Sequence, residues 1–175
     1  NIDKESQKIK EIINVSPQET AIAPNLTVLE NLNFMAGIYK IKNKKEKIDE
    51  LIKIFRLEEV LKQKAKTLSG GWQRKLSIAL ALINNPKVLF LDEPTLGLDV
   101  IARKELWTVI ENLKGKITII LTTHYMEEAE KLSDRVGIMN KGKLIKIGTV
   151  KELISKTKTK NLEDAFVKLV TGGEE

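Results

Sequence analysis

The stretch Val88–Asp92, VLFLD, constrains this chain more than any other. Four apolar residues ending on a carboxylate, with Pro86 before and Glu93-Pro94 after, read as a short buried strand rather than a helix. A second, mostly β-branched run, Ile117–Leu121, follows it. Between the two, Asp99 is placed to cap a helix reaching to about Leu113 and closing at Gly115. Strand, helix and strand in that order form a βαβ unit, which forces parallel pairing and predicts an α/β fold. Apolar residues throughout both strands also suit a parallel sheet.

The remaining elements are placed around this unit. Ile9–Val15 reads as a helix end running into a short strand, and Pro17 holds the backbone extended or turned before Gln18. Thr27-Val-Leu-Glu30 is a capping box that starts a helix to about Tyr39. Ile48, Leu51, Ile52 and Phe55 share one face of an amphipathic helix, and Leu57–Gln63 reads as another short one. Leu26–Lys66 is therefore an all-helical insertion. A helix from Ser69 to about Ile83 turns Leu76, Ala79, Leu80 and Ile83 inward and ends at Asn84-Asn-Pro86. After the second strand come a short helix Met126–Leu132, a hairpin of Arg135–Met139 and Lys143–Ile147 around Asn140-Lys-Gly142, and a helix capped at Thr149. A last helix carries Leu162, Phe166 and Leu169 on one face, and the Gly172–Glu175 end is expected to fray.

Composition narrows the partners. The net charge of +6 comes from lysines scattered along helices, and aromatics make up only 5% of residues, so base stacking has little support and no nucleic acid is expected. The chain has no cysteine, which excludes disulfides and thiolate metal sites. Its longest apolar runs are far too short to span a bilayer.

The chemistry gathers where strands end. Open parallel sheets bind ligands beyond the carboxyl ends of their strands, so Asp92 is placed to hold Mg²⁺ beside nucleotide phosphates. Glu93, next to it, could polarise an attacking water as a general base. Leu68-Ser-Gly-Gly71 opens a helix with a hydroxyl and two residues lacking Cβ, which suits an anionic oxygen at the positive end of the dipole. His124, the one histidine, follows the second strand as Asp92 follows the first and could contact a phosphate. Gln18 could offer an amide to water or metal. Read alone, Asp92-Glu93-Pro94 is also a helix-capping turn, Ser69 an ordinary N-cap and Gln18 a loop residue. Trp72 and Trp107 read as packing anchors.

Together and in this order, the pieces resemble the ATP-binding subunit of ABC transporters. Val15-Ser-Pro-Gln18 is similar to the family's Q-loop, and Leu68-Ser-Gly-Gly-Trp-Gln73 to its signature motif. Val88–Asp92 with Glu93 looks like Walker B and the catalytic glutamate, Gly97-Leu-Asp99 like the D-loop, and His124 like the switch histidine. Pro24–Tyr39 and Asn161–Phe166 are similar to the drug, antibiotic and lipid export branch.

The resemblance implies a P-loop NTPase-like parallel core over about 1–23 and 76–148, a helical subdomain over about 24–75, and a C-terminal hairpin leading to a helical tail over about 149–175. It implies ATP and Mg²⁺ as cofactors, a second such domain as a homo- or heterodimer partner, and transmembrane permease subunits at the cytoplasmic face of the membrane. Asp92 and Gln18 would serve the metal, and Glu93 and His124 the hydrolysis, of the subunit's own nucleotide. Ser69, Gly70 and Gly71, with Gln73 in support, would clamp the nucleotide opposite, and Asp99 would bridge the interface.

Asn14 stands where the family usually has glycine, a mild change since Asn tolerates a left-handed backbone. Leu96 replaces the usual small or polar residue before Gly97-Leu-Asp99 and is expected to alter interface packing only. Two other readings share these motifs: a non-transport ABC ATPase acting on ribosomes or DNA, and a non-catalytic interaction fragment.

The chain opens on Asn1 rather than Met and contains no G-x-x-x-x-G-K-[ST] segment. The phosphate-binding loop, its strand and the adenine-stacking aromatic are expected upstream. That loop supplies a ring of backbone N–H donors and a lysine that nothing else here replaces. The 175-residue chain by itself is therefore predicted to bind ATP weakly and not to turn it over. A phosphate-release assay showing turnover that Glu93→Gln removes would overturn this.

Overall fold

The computed structural model describes residues 3–172, so of the end expected to fray, 172–175, residues 173–175 lie outside them. The chain forms two compact units, dividing between Thr122 and Thr123.

The first unit runs α1 (Ser6–Ile12), β1 (Ile13–Ser16), α2 (Val28–Ile38), α3 (Lys44–Phe55), α4 (Gly70–Ala81), β2 (Val88–Asp92), α5 (Val100–Leu113) and β3 (Thr118–Thr122). The strands pair in parallel in the order β1-β2-β3, with β2 central. The expected βαβ unit is β2-α5-β3. The Leu57–Gln63 helix is reduced to a single 3-10 turn, Glu58–Val60.

Only one face of this sheet is closed by the elements of its own unit. Ser16 and Leu91 are paired in register and buried, and Leu89 is buried beside Asn14. On the opposite face Val15 and Ile120 keep 50% and 46% of their surface exposed. Strands added in one direction through right-handed crossovers place both connecting helices on the same side. Accordingly α4 and α5 lie against each other, and Ser77 of α4 reaches Ser16 on the closed face.

The helical insertion forms its core from the residues that periodicity selects. Val28, Leu32 and Ala36 of α2 and Ile48, Leu51, Ile52 and Phe55 of α3 are all buried. The capping box is complete, with the Glu30 amide donating to Thr27 Oγ1 at 3.2 Å and the Thr27 amide to Glu30 Oε2 at 2.7 Å. An antiparallel bridge between Thr27 and Lys64 staples the start of α2 to the end of the insertion.

The second unit comprises α6 (Met126–Leu132), β4 (Val136–Asn140), β5 (Lys143–Gly148), α7 (Val150–Thr157) and α8 (Leu162–Thr171). Asn140 pairs with Lys143 across a two-residue loop in which Lys141 and Gly142 both have positive φ, as a primed hairpin turn requires. Its core is Ala129, Ile138, Leu153 and Leu162, with Phe166 and Leu169 packed against them.

The Thr27 amide, then the Thr27 hydroxyl, hold the Glu30 carboxyl below the ordinary value of 4.5. A carboxyl lowered on folding contributes stability above its unfolded value, and that contribution is lost as pH falls through the folded value. Glu30→Ala should lower the melting temperature at pH 7 and converge on the parent below pH 4.5, measured as thermal melts across pH. A gap that stays constant with pH would contradict this.

Candidate functional site

Parallel pairing fixes where the candidate residues emerge. Because Ser16 aligns with Leu91 and Asp92 with Thr122, the strands β1, β2 and β3 end together at one edge. Gln18 lies two residues past the end of β1 and is exposed. Asp92 ends β2, exposed, with Oδ1 accepting a short hydrogen bond from Thr122 Oγ1. Gln18, Asp92 and Glu93 are thus brought to the same edge of one sheet.

Glu93 leaves the strand in a left-handed conformation, φ 45°, unusual for a residue with a Cβ. Its amide donates to the Thr122 carbonyl at 3.1 Å, and its carbonyl accepts from the Leu96 amide at 3.2 Å. Those two bonds, with Pro94 and Thr95 buried behind it, hold a turn that would otherwise relax. Glu93 is half-buried.

A second cluster sits where α4 and α5 begin. Ser69 occupies the N-cap of α4 but its side chain makes no capping bond, so the helix does not use its hydroxyl. Asp99 does cap α5, accepting from the Ile101 and Ala102 amides at 2.9 and 3.0 Å. Gln73 Nε2 donates to the Leu68 carbonyl at 3.1 Å and steadies the approach to the helix.

The two glycines are not equivalent. A Cβ on Gly70 would meet nothing within 4 Å, whereas one on Gly71 would stand 3.1 Å from Ala102 Cβ of α5. Gly71 is therefore at the close contact between α4 and α5, and Gly70 faces open space.

His124 belongs to the second unit, where it is exposed, with its ring centroid 4.2 Å from that of Tyr125. Asn14 lies in strand β1 without a positive φ, so the left-handed tolerance expected of it is not called upon. Its Nδ2 instead donates to Asn84 Oδ1 at 3.1 Å. Trp107 is buried, as a packing anchor should be, and Trp72 is half-buried with Lys75 Nζ 4.5 Å above its ring.

Among the described residues no group of three or more metal-binding side chains occurs. Magnesium beside a nucleotide needs fewer, since phosphate oxygens and waters complete one or two carboxylates. An exposed Asp92, oriented by a neighbouring hydroxyl at a strand end, fits that donor set.

Sequence reading passed over Arg74, Lys75 and Thr122. Arg74 donates to the carbonyls of Pro17, at 2.6 Å, and Gln18. Lys75 Nζ lies 2.6 Å from Glu105 Oε2. The available signal was two adjacent cations inside an otherwise inward-facing helix, where charge is costly unless paired.

Carboxylates at the carboxyl edge of a parallel sheet, with a crossover helix that starts on two glycines, mark the class of nucleotide-binding α/β proteins. The family model described as "ABC transporter" matches residues 1–96. The chain belongs to the ABC transporter family, and its fold is that of the family's ATP-binding domain. Among relatives, it is 40% identical over 158 residues to the linearmycin resistance ATP-binding protein LnrL of Bacillus subtilis, covering 89% of this chain and 51% of that one. It is 41% identical over 145 residues to the human phospholipid-transporting ATPase ABCA3, covering 82% of this chain and 8% of that one. The chain thus spans about half the length of the first relative and less than a tenth of the second. A solved structure of an ATP binding subunit of an ABC transporter superposes with TM-score 0.83 at 25% identity, covering 97% of this chain and 72% of the other.

The glycine geometry gives a direct test. Gly70→Ala should leave stability unchanged or raise it by up to about 1 kcal/mol, since alanine restricts the unfolded chain. Gly71→Ala should fall below Gly70→Ala by about 1 kcal/mol or more, because α5 must move. Denaturant melts of the two variants measure the difference, and equal stabilities would refute the packing role of Gly71.

Proposed function

We propose that this chain is the greater part of an ATP-hydrolysing domain that powers export through a membrane transporter. The observation that carries the reading is the end of β2, where Asp92 is oriented by Thr122 and Glu93 is held in a strained turn directly beside it. Strain of that kind persists only where surrounding bonds over-determine it, and it concentrates at functional turns.

In this reading ATP lies along the carboxyl edge of the sheet. Asp92, with Gln18, holds Mg²⁺, which when bound neutralises developing charge on the phosphates. Glu93 accepts a proton from a water as its oxygen attacks the γ-phosphorus. The bond from that phosphorus to the bridging oxygen breaks, and ADP leaves with the electron pair. His124 contacts the γ-phosphate. Ser69, Gly70 and Gly71 present a hydroxyl and helix-start amides to the nucleotide of a second domain, and Asp99 bridges the two. A partner domain of identical or different sequence completes the two half-sites.

The helical insertion, about 24–75, meets permease subunits at the cytoplasmic face, and Gln18 relays the change on hydrolysis to it. No helix among the described residues is long and apolar enough to cross a membrane. The names of the relatives, one a phospholipid-transporting ATPase and one an antibiotic-resistance protein, support an amphipathic or lipid-like cargo moved outward.

Glu93→Gln in the assembled transporter keeps the shape of the site and removes the base. Turnover should fall by about a thousandfold or more, while ATP still drives dimers visible by size-exclusion chromatography. Turnover at the parent rate would show that Glu93 is not the base.

A further inference from the structure

We infer that Arg74 is a positioning residue that fixes the course of the Gln18 loop from the first turns of α4. Arg74 is only 4% exposed. Its guanidinium forks onto two successive main-chain carbonyls, Nη1 to Pro17 at 2.6 Å and Nη2 to Gln18. Burying a guanidinium is expensive unless its donors are met, and a packed apolar side chain at this position would stabilise the helix at least as well. A fork spanning two consecutive carbonyls also needs the planar geometry that arginine has and lysine lacks.

The tether has a second point. Arg74 and Ser77, three residues apart, share a face of α4, and Ser77 Oγ lies 3.2 Å from Ser16 Oγ at the end of β1. Ser16, Pro17 and Gln18 are therefore all held by one helical turn. The next residue, Lys75, faces the other way and ties the same turn to Glu105 of α5, the helix that Asp99 caps.

Because Arg74 grips main-chain oxygens, the Gln18 side chain stays exposed and available. The glycine-lined start of α4 and the Gln18 loop consequently move as one body. A shift of α4, when Ser69–Gly71 engage or release a ligand, displaces the Gln18 amide relative to Asp92. This rests on the reading of Gln18 given under the proposed function.

The test combines amide hydrogen exchange with steady-state ATPase measurements on the assembled transporter. In Arg74→Gln, exchange at residues 18–20 should quicken roughly tenfold, as expected for losing hydrogen bonds from a charged donor. Its kcat should drop about tenfold or more through misplacement of the loop, with KM for ATP within about twofold. Gln18→Ala should lose a similar factor, and the double variant should lose no more than the worse single one. Unchanged exchange at 18–20, or losses that multiply in the double variant, would overturn the inference.

If Gln18→Ala alone leaves kcat intact, the role given to Gln18 fails, and the exchange result then decides the tether by itself. Should Arg74→Gln not fold, Arg74→Lys, which can serve one carbonyl at a time, should quicken exchange about threefold. Parent-like exchange in that variant would equally overturn the inference.

Discussion

Everything in the first unit depends on the parallel pairing of β2 between β1 and β3. A central strand has both rows of its backbone groups satisfied, so its end point is fixed by hydrogen bonds on two sides rather than by side-chain packing alone. That fixes Asp92 in register with Thr122 and sends Glu93 directly into a turn. The carboxylates do not need a rigid loop to hold them, because the sheet holds them.

The crossovers then decide how chemistry and packing share the same residues. With α4 and α5 side by side, the start of each helix is crowded by the other, and Gly71 must be small for Ala102 to fit. One helical turn of α4 carries a glycine facing α5, an arginine gripping the loop after β1, and a lysine paired with Glu105. The glycine start of α4 is thereby attached, within its first turns, to the loop that carries Gln18.

Much of the fold was legible because its determinants are local. The Thr27 and Thr149 capping boxes, the Asp99 cap, the inward face of α3 and the Lys141-Gly142 turn each rest on residues within four positions of one another. The candidate site was legible for a different reason. Asp92, Glu93 and Gln18 sit at strand ends, and a parallel sheet brings strand ends together whatever the details of its packing. Contacts between segments distant in sequence, such as Ser77 with Ser16, were not legible in this way. Asn14 shows the same limit in miniature: its tolerance of a left-handed backbone is a local property, while its bond to Asn84 crosses seventy residues.

By itself, the sequence determined which of the longer segments are helix or strand, where several of the helices are capped, and the order of motifs that ties the chain to the ABC transporter family. Those follow from backbone sterics, capping and periodicity, which act over one or two turns. Only the tertiary structure decided that Gly71 serves helix packing while Gly70 does not, and that Arg74 reaches two carbonyls more than fifty residues away. Such contacts depend on how helices cross over a sheet, and a side chain's distant partner cannot be read until that crossing is made.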